Sequence, residues 1–169
     1  DPSKIHKLRH EPMWKVIVFL APLCPICQDC THYLNALAQQ WADADVPVEL
    51  QGWFPHPRVT EADIAQFAEV YGVDWSLAKD TCGWADALEA DWTPECFLLD
   101  SVGRVVYRGR VNDLYFALGK HRTAPRSADL EAAVEAVLAG EEPNPATTHA
   151  IGCPIESRIP KAPCATHSP

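Results

Sequence analysis

A short apolar run that leads into a cysteine-rich stretch is the feature that most constrains the fold of this chain. Residues 16–20 (VIVFL) are uninterrupted apolar side chains, mostly β-branched or aromatic, which is typical of a strand buried on both faces. Three cysteines, Cys24, Cys27 and Cys30, follow at intervals of three. Apolar residues then recur at helical spacing as far as Trp41, which predicts a helix over about residues 24–42. The sequence therefore places thiols at a strand-to-helix junction.

The rest of the chain indicates further strands and helices, which end in a proline-rich segment. In chain order they are a strand at 46–54, a helix capped by Thr60 and Asp63, a short strand within 73–80, a poorly periodic helix around Trp84, two strands on either side of a turn at 100–103, and a helix that Ser127 caps and Gly140 ends. This order predicts an α/β fold with a mixed central sheet flanked by helices. We divide the chain into a lead-in (1–13), one domain (14–140) and a tail (141–169).

Charge and cysteine content narrow the class of protein. The net charge of −9 argues against nucleic acid as a partner, because such a partner requires a basic surface. The apolar stretch at 16–23 contains Pro22 and is too short to predict a transmembrane segment. Seven cysteines cannot all pair within one chain. A high cysteine count and a chain that begins at Asp1 predict a trimmed, extracytoplasmic protein, periplasmic if bacterial.

The first cysteine pair has the spacing of a dithiol redox site. Cys24 falls at the first turn of the predicted helix, where free backbone N–H groups and the helix dipole favour a thiolate. Cys27 lies one turn further on and can attack a mixed disulfide formed at Cys24. We therefore predict that Cys24 is the nucleophile and Cys27 the resolving thiol. This chemistry needs no cofactor, and its partners are protein thiols or disulfides and an electron donor or acceptor that the sequence does not identify.

A second motif supports this interpretation and points to a family. Trp92-Thr93-Pro94 stands directly before the predicted strand "ECFLLD", and Pro94 is a candidate for a cis peptide bond. Together with Cys24-Pro25-Ile26-Cys27, it resembles the thioredoxin-like redoxins, including those that assist cytochrome c maturation and a bacterial AhpC/TSA-type subgroup. The resemblance covers about residues 14–140. It implies a thioredoxin-like three-layer sandwich and thiol–disulfide oxidoreductase activity. It also implies a peptide site at Thr93 and Pro94. Trp92, at a strand edge near the expected active face, is a candidate to line a peptide groove.

The cysteine region departs from two patterns within that family. Thioredoxins usually carry Trp before the first cysteine and Gly-Pro between the pair, whereas Leu23 and Pro25-Ile26 occupy those places here. A peroxiredoxin-like peroxidase would show proline and a hydroxyl residue at fixed distances before the reactive cysteine. Counting back from Cys27 or Cys30 finds neither. Peroxidase activity is therefore a disfavoured alternative.

Other uses of the cysteines remain open on sequence alone. Cys24 and Cys27 with His56 would suit Cu(I) or Zn(II), as in a metallochaperone. An iron–sulfur cluster would take Cys30 and a remote fourth ligand, for which Cys153 is a candidate. A redox-inert adaptor with purely structural cysteines is a further alternative. Of the remaining cysteines, Cys30 is expected to pack in the core. Cys82 and Cys96 are a possible disulfide. Cys153 and Cys164 either form disulfides that attach the tail or stay free.

Overall fold

A computed structural model describes residues 14–164, which form a mixed five-stranded sheet with helices and a long C-terminal segment. In chain order the elements are β1 (Trp14–Phe19), α1 (Pro25–Asp43), β2 (Val48–Phe54), α2 (Glu61–Tyr71), β3 (Ser76–Lys79), α3 (Trp84–Ala87), β4 (Trp92–Thr93), β5 (Glu95–Leu99), β6 (Val105–Gly109), β7 (Tyr115–Ala117), β8 (Lys120–His121), α4 (Asp129–Leu138) and β9 (Cys153–Pro154). The strand order in the main sheet is β3-β2-β1-β5-β6. β1 is parallel to β2 and antiparallel to β5, so the sheet is mixed, as the sequence predicts.

The central strand β1 sends its side chains into two separate apolar clusters. Val16 and Val18 pack in a large cluster with residues of α1, α2 and α4. Ile17 and Phe19 point to the opposite face, where they pack with Ala85 of α3 and with Phe97 and other residues. Burial on both faces explains why this strand carries an unbroken apolar run. The sheet is therefore covered on both faces, which gives three layers. Of the four helices within residues 14–164, α1, α2 and α4 cover one face and the short α3 covers the other.

The helix starts show one confirmed cap and one wrong prediction. Thr60 and Asp63 form the predicted capping box, since each side chain accepts a hydrogen bond from the other residue's backbone N–H. The last helix begins at Asp129 with Ala128 at the cap position, so the prediction of Ser127 as cap was wrong. The Ser127 N–H instead donates to Asp113, 2.8 Å away, and its hydroxyl donates to Asp129. The start of α4 therefore has no side-chain cap, and the Leu130 N–H donates to the Val111 carbonyl oxygen instead (3.0 Å).

Residues 141–164, which we call the strap, lie across the domain and are attached to it at several points. The backbone N–H of Arg108 donates to the Ala146 carbonyl oxygen (3.0 Å), and β9 pairs antiparallel with β4. At its far end a disulfide joins Cys164 to Cys82. The Cys82–Cys96 disulfide was therefore a wrong prediction. Cys96 is a free, fully buried thiol in β5, and Cys164 is the staple.

None of the helices within residues 14–164 is long and apolar enough to cross a membrane.

Candidate active site at the Cys24 cluster

Cys24 lies at the junction that the sequence indicates, between β1 and α1. It is the N-cap residue of α1, and its carbonyl oxygen accepts the first helical hydrogen bond from the Gln28 N–H (3.0 Å). Pro25 follows at the first helical position, where a missing N–H costs nothing. Cys27 is one turn further along and fully buried. Cys24 itself is only 3% exposed, so other residues cover its thiol.

The structure brings Thr93 and Pro94 to this thiol. The Cys24 Sγ lies 3.3 Å from the carbonyl oxygen of Thr93, to which it donates as a thiol. The Thr93–Pro94 peptide bond is cis. Trp92, which the sequence suggests as a wall of a peptide groove, is half-buried and pairs with Pro154 in the β4–β9 ladder. Its ring also contacts the ring of His149, with centroids 6.1 Å apart. Strap residues therefore occupy the surface beside Trp92.

A third cysteine, Cys153, which the sequence suggested for this site only as a remote ligand of an iron–sulfur cluster, completes this group of thiols. The Sγ of Cys153 lies 2.9 Å from the Sγ of Cys24. Cys153 reaches it because it pairs with Thr93 in the β4–β9 ladder. The available signal was an apolar stretch, Ala150–Ile155, inside an otherwise polar tail. A pairing between strands of two residues each is too short for any sequence pattern to reveal.

The three thiols have very different acidities. The pKa of Cys24 is lowered to about 5. The main cause is the hydrogen bond that the Cys27 thiol donates to the Cys24 sulfur. Hydrogen bonds from the Cys153 thiol and from the backbone N–H groups of Cys27 and Cys153 also lower this pKa, while burial raises it. Burial and the Cys24 charge raise the pKa of Cys27 well above its ordinary value. The same two causes raise the pKa of Cys153 to about 11. At neutral pH the cluster therefore holds one thiolate, on Cys24, and two thiols that donate to it.

The remaining cysteines and His56 do not join the cluster. Cys30 packs partly buried against the core, as predicted, and burial raises its pKa to about 12. His56 lies in the loop after β2, and its Nδ1 accepts a hydrogen bond from the Arg58 N–H (3.1 Å). Within residues 14–164, no three or more His, Cys, Asp or Glu side chains are arranged to hold a metal ion. The alternative ligand set of Cys24, Cys27 and His56 is therefore not assembled.

An open, mainly apolar groove of about 550 Å³ lies beside the segment that leads into Cys24. Its wall includes Pro22 and Leu23, which directly precede Cys24, and Phe67 and Val70 of α2. Leu23 is 89% exposed. The groove thus offers apolar surface next to the nucleophile.

Comparison with known proteins identifies the fold as thioredoxin-like. A hypothetical protein from Sinorhizobium meliloti 1021 is 27% identical, with a TM-score of 0.74 over 86% of this chain and 80% of that one. A thioredoxin-like protein in its oxidized form is 18% identical, with a TM-score of 0.55 over 76% and 80%. A putative thiol:disulfide interchange protein DsbE from Chlorobium tepidum is 18% identical, with a TM-score of 0.54 over the same shares. No protein-family model matches the sequence, and no curated protein matches it.

Proposed function

We propose that this protein is a thiol–disulfide oxidoreductase that acts on cysteines of other proteins. The observation that carries the proposal is the place of Cys24 at the start of α1, with its sulfur 3.3 Å from the Thr93 carbonyl oxygen and a lowered pKa that favours the thiolate. A thiolate is the form that attacks a disulfide sulfur. The thioredoxin-like fold adds support, because a solved protein of this fold is described as a thiol:disulfide interchange protein.

The reaction uses only residues of the cluster and a client disulfide. The Cys24 thiolate attacks one client sulfur, the client S–S bond breaks, and the other client sulfur leaves as a thiolate that takes a proton from solvent. Cys27 then loses its proton and attacks the Cys24 sulfur of the mixed disulfide. The second client thiol leaves, and Cys24–Cys27 becomes the oxidised pair. The client gains two electrons that the dithiol loses, and the reverse sequence oxidises a client.

Client recognition is assigned to Thr93 and Pro94, with Trp92 beside them. Thr93 is 3% exposed and its carbonyl oxygen already faces the Cys24 sulfur, so a backbone paired with Thr93 would carry a side chain to the nucleophile. The apolar groove beside Leu23 supplies surface for the rest of the client. The electron partner is a second dithiol or disulfide protein that exchanges with the Cys24–Cys27 pair.

The proposed location is extracytoplasmic, periplasmic in a bacterium. The support is the Cys82–Cys164 disulfide, which joins the end of the strap to the segment just before α3 and involves none of the cluster thiols. Structural disulfides persist in oxidising compartments and are rare in the cytosol.

Replacement of Cys24 by serine tests the proposal. The reduced wild-type protein is expected to release glutathione rapidly from a peptide whose cysteine carries it as a mixed disulfide. Cys24→Ser should lower that release to the uncatalysed rate, because the serine hydroxyl stays protonated and is a poor nucleophile. Release is followed by assay of free glutathione. The matched control is Cys30→Ala, which removes a thiol from the same helix and should keep the wild-type rate. A Cys24→Ser variant that retains the wild-type rate would contradict the proposal.

A further inference from the structure

The strap presents a cysteine to Cys24 in the manner of a bound peptide strand. β9 pairs antiparallel with β4, with Cys153 opposite Thr93 and Pro154 opposite Trp92. The Thr93 hydroxyl donates to the Cys153 carbonyl oxygen (3.3 Å), and the Ile155 N–H donates to the Asp91 carbonyl oxygen (2.8 Å). The backbone that we assign to client pairing is therefore already paired within the molecule.

Close packing and anchors on both sides hold this strand in place. A Cβ added at Gly152 would collide with the Thr93 carbonyl group, so only glycine permits this approach of the two backbones. Before β9, the Thr148 hydroxyl lies 2.7 Å from the Tyr107 hydroxyl and accepts from the Arg110 N–H (3.0 Å). After it, the strap returns to α3 and ends at the Cys82–Cys164 disulfide. These contacts fix Cys153 at Cys24.

We propose that Cys153 is a second resolving cysteine, which forms a disulfide with Cys24 in competition with Cys27. The proposal rests on the proposed function, since it requires Cys24 to react with disulfides. The two sulfurs lie 2.9 Å apart. A disulfide bond is about 2.05 Å long, so they need to approach by only about 0.9 Å.

The step balances without an external oxidant. In a mixed disulfide between Cys24 and a client thiol, Cys153 loses its proton to solvent and attacks the Cys24 sulfur. The bond from Cys24 to the client breaks, the client sulfur leaves as a thiolate and takes up a proton, and the Cys24–Cys153 bond forms. Cys153 can equally attack a Cys24–Cys27 disulfide, which frees Cys27 as the thiolate with no net oxidation.

The charge within the cluster favours this reaction once Cys24 has reacted. The negative charge of Cys24 is one cause that raises the pKa of Cys153, and a mixed disulfide removes that charge. Cys153 is also less deeply buried than Cys27, whose sulfur is fully enclosed. β9 is already paired with β4 while both thiols are free, so a Cys24–Cys153 disulfide would lock that pairing covalently and keep the client site closed.

Paired serine variants separate the two resolving thiols. Glutathione disulfide is the probe, because it is too small to need the β4 backbone. In Cys27→Ser, the glutathione adduct on Cys24 is expected to be at least about tenfold shorter-lived than in Cys27→Ser/Cys153→Ser, because an intramolecular thiol acts at high effective concentration. Intact mass in acid-quenched samples follows the adduct. The single variant should end without adduct and with an internal disulfide, and the double variant should keep one glutathione.

Each other outcome decides a different question. Equal adduct lifetimes in the single and double variants would overturn the role of Cys153 and leave the proposed function intact. No adduct in any protein, wild type included, would instead remove Cys24 as the nucleophile and overturn both. The pair Cys27→Ala and Cys27→Ala/Cys153→Ala repeats the comparison if a serine in the buried Cys27 site disturbs folding. Cys30→Ala in the Cys27→Ser background is the matched control and should leave the short lifetime unchanged.

Peptide mapping of the wild-type protein provides a measurement without substitutions. Cleavage after Lys15 and Arg58 leaves Cys24, Cys27 and Cys30 on one peptide, and cleavage after Arg126 and Arg158 leaves Cys153 on another, so fragmentation of the first peptide assigns the linked cysteine. Oxidation with glutathione disulfide is expected to produce a cross-linked species of these two peptides. A fully oxidised protein in which Cys153 stays quantitatively alkylatable would overturn the proposal.

Discussion

Replacement of Cys82 and Cys164 together by serine is expected to lower the free energy of unfolding by about 4.5 kcal/mol, the chain-entropy value for a loop of this size. The two cysteines are 82 residues apart, so their disulfide restricts a large part of the unfolded chain. The substitution should also loosen the strap, because Cys164 anchors its far end. Chemical denaturation of the oxidised proteins measures the first effect. The alkylation rate of Cys24 in the folded, reduced-site proteins measures the second and should rise.

The control for this prediction is the effect of reductant. Reduction should lower the denaturation midpoint of the wild-type protein strongly and change that of the double variant much less. Cys30→Ala, which removes no disulfide, should keep the wild-type response. Coincident midpoints for the oxidised wild type and the double variant would show that the Cys82–Cys164 bond does not stabilise the fold.

The thiolate of Cys24 is expected to form with a midpoint near pH 5, far below that of an ordinary cysteine. The Cys27 thiol is the main cause, since its hydrogen bond favours the anion. Because the pKa of Cys24 is lowered, its thiol stays ionised as the pH falls from neutrality and becomes protonated only as the pH passes through about 5. At about pH 6.5, only about 1% of an ordinary thiol with a pKa of about 8.5 is ionised.

The ultraviolet absorbance of the thiolate is the appropriate measurement for this midpoint. Alkylation rates are less direct, because a thiolate of low pKa is also a weaker nucleophile. Cys27→Ala should raise the midpoint most, and Cys153→Ala should raise it less, in the order of their contributions to the Cys24 pKa. Cys24→Ser should remove the acidic transition altogether. A wild-type midpoint near the ordinary cysteine value would contradict the hydrogen-bonded arrangement of the cluster.

The local elements of this fold could be predicted from the sequence because their causes are local. An unbroken apolar run predicts the buried strand β1, and apolar residues at helical spacing predict the helix α1. The position of Cys24 follows from the junction between these two elements. The capping box at Thr60 depends on a residue three positions away. The peptide site at Thr93 and Pro94 was predicted from the resemblance to a family, because no local sequence pattern relates these residues to Cys24. The structure brings these residues together.

The strap could not be predicted because its contacts are non-local and short. Cys82 and Cys164 are joined across 82 residues, and no periodicity relates such distant positions. The β4–β9 ladder contains only two residue pairs, so the sequence pattern that would indicate a strand is missing. The prediction that Ser127 caps α4 was wrong for the same reason, because the Ser127 N–H donates to Asp113, which lies in another loop. Tertiary contacts of this kind replace the local signals that sequence analysis uses.

The most direct test of the account is a redox titration of the wild-type protein in glutathione buffers, with acid quenching, alkylation and peptide mapping at each potential. The account predicts that the reactive thiols are lost as one pair in a two-electron step. Cys24 is always a member of that pair, with Cys27 or Cys153 as its partner, while Cys30 and Cys96 stay alkylatable after unfolding. A titration in which Cys24 remains a free thiol across the range where other cysteines oxidise would contradict the account.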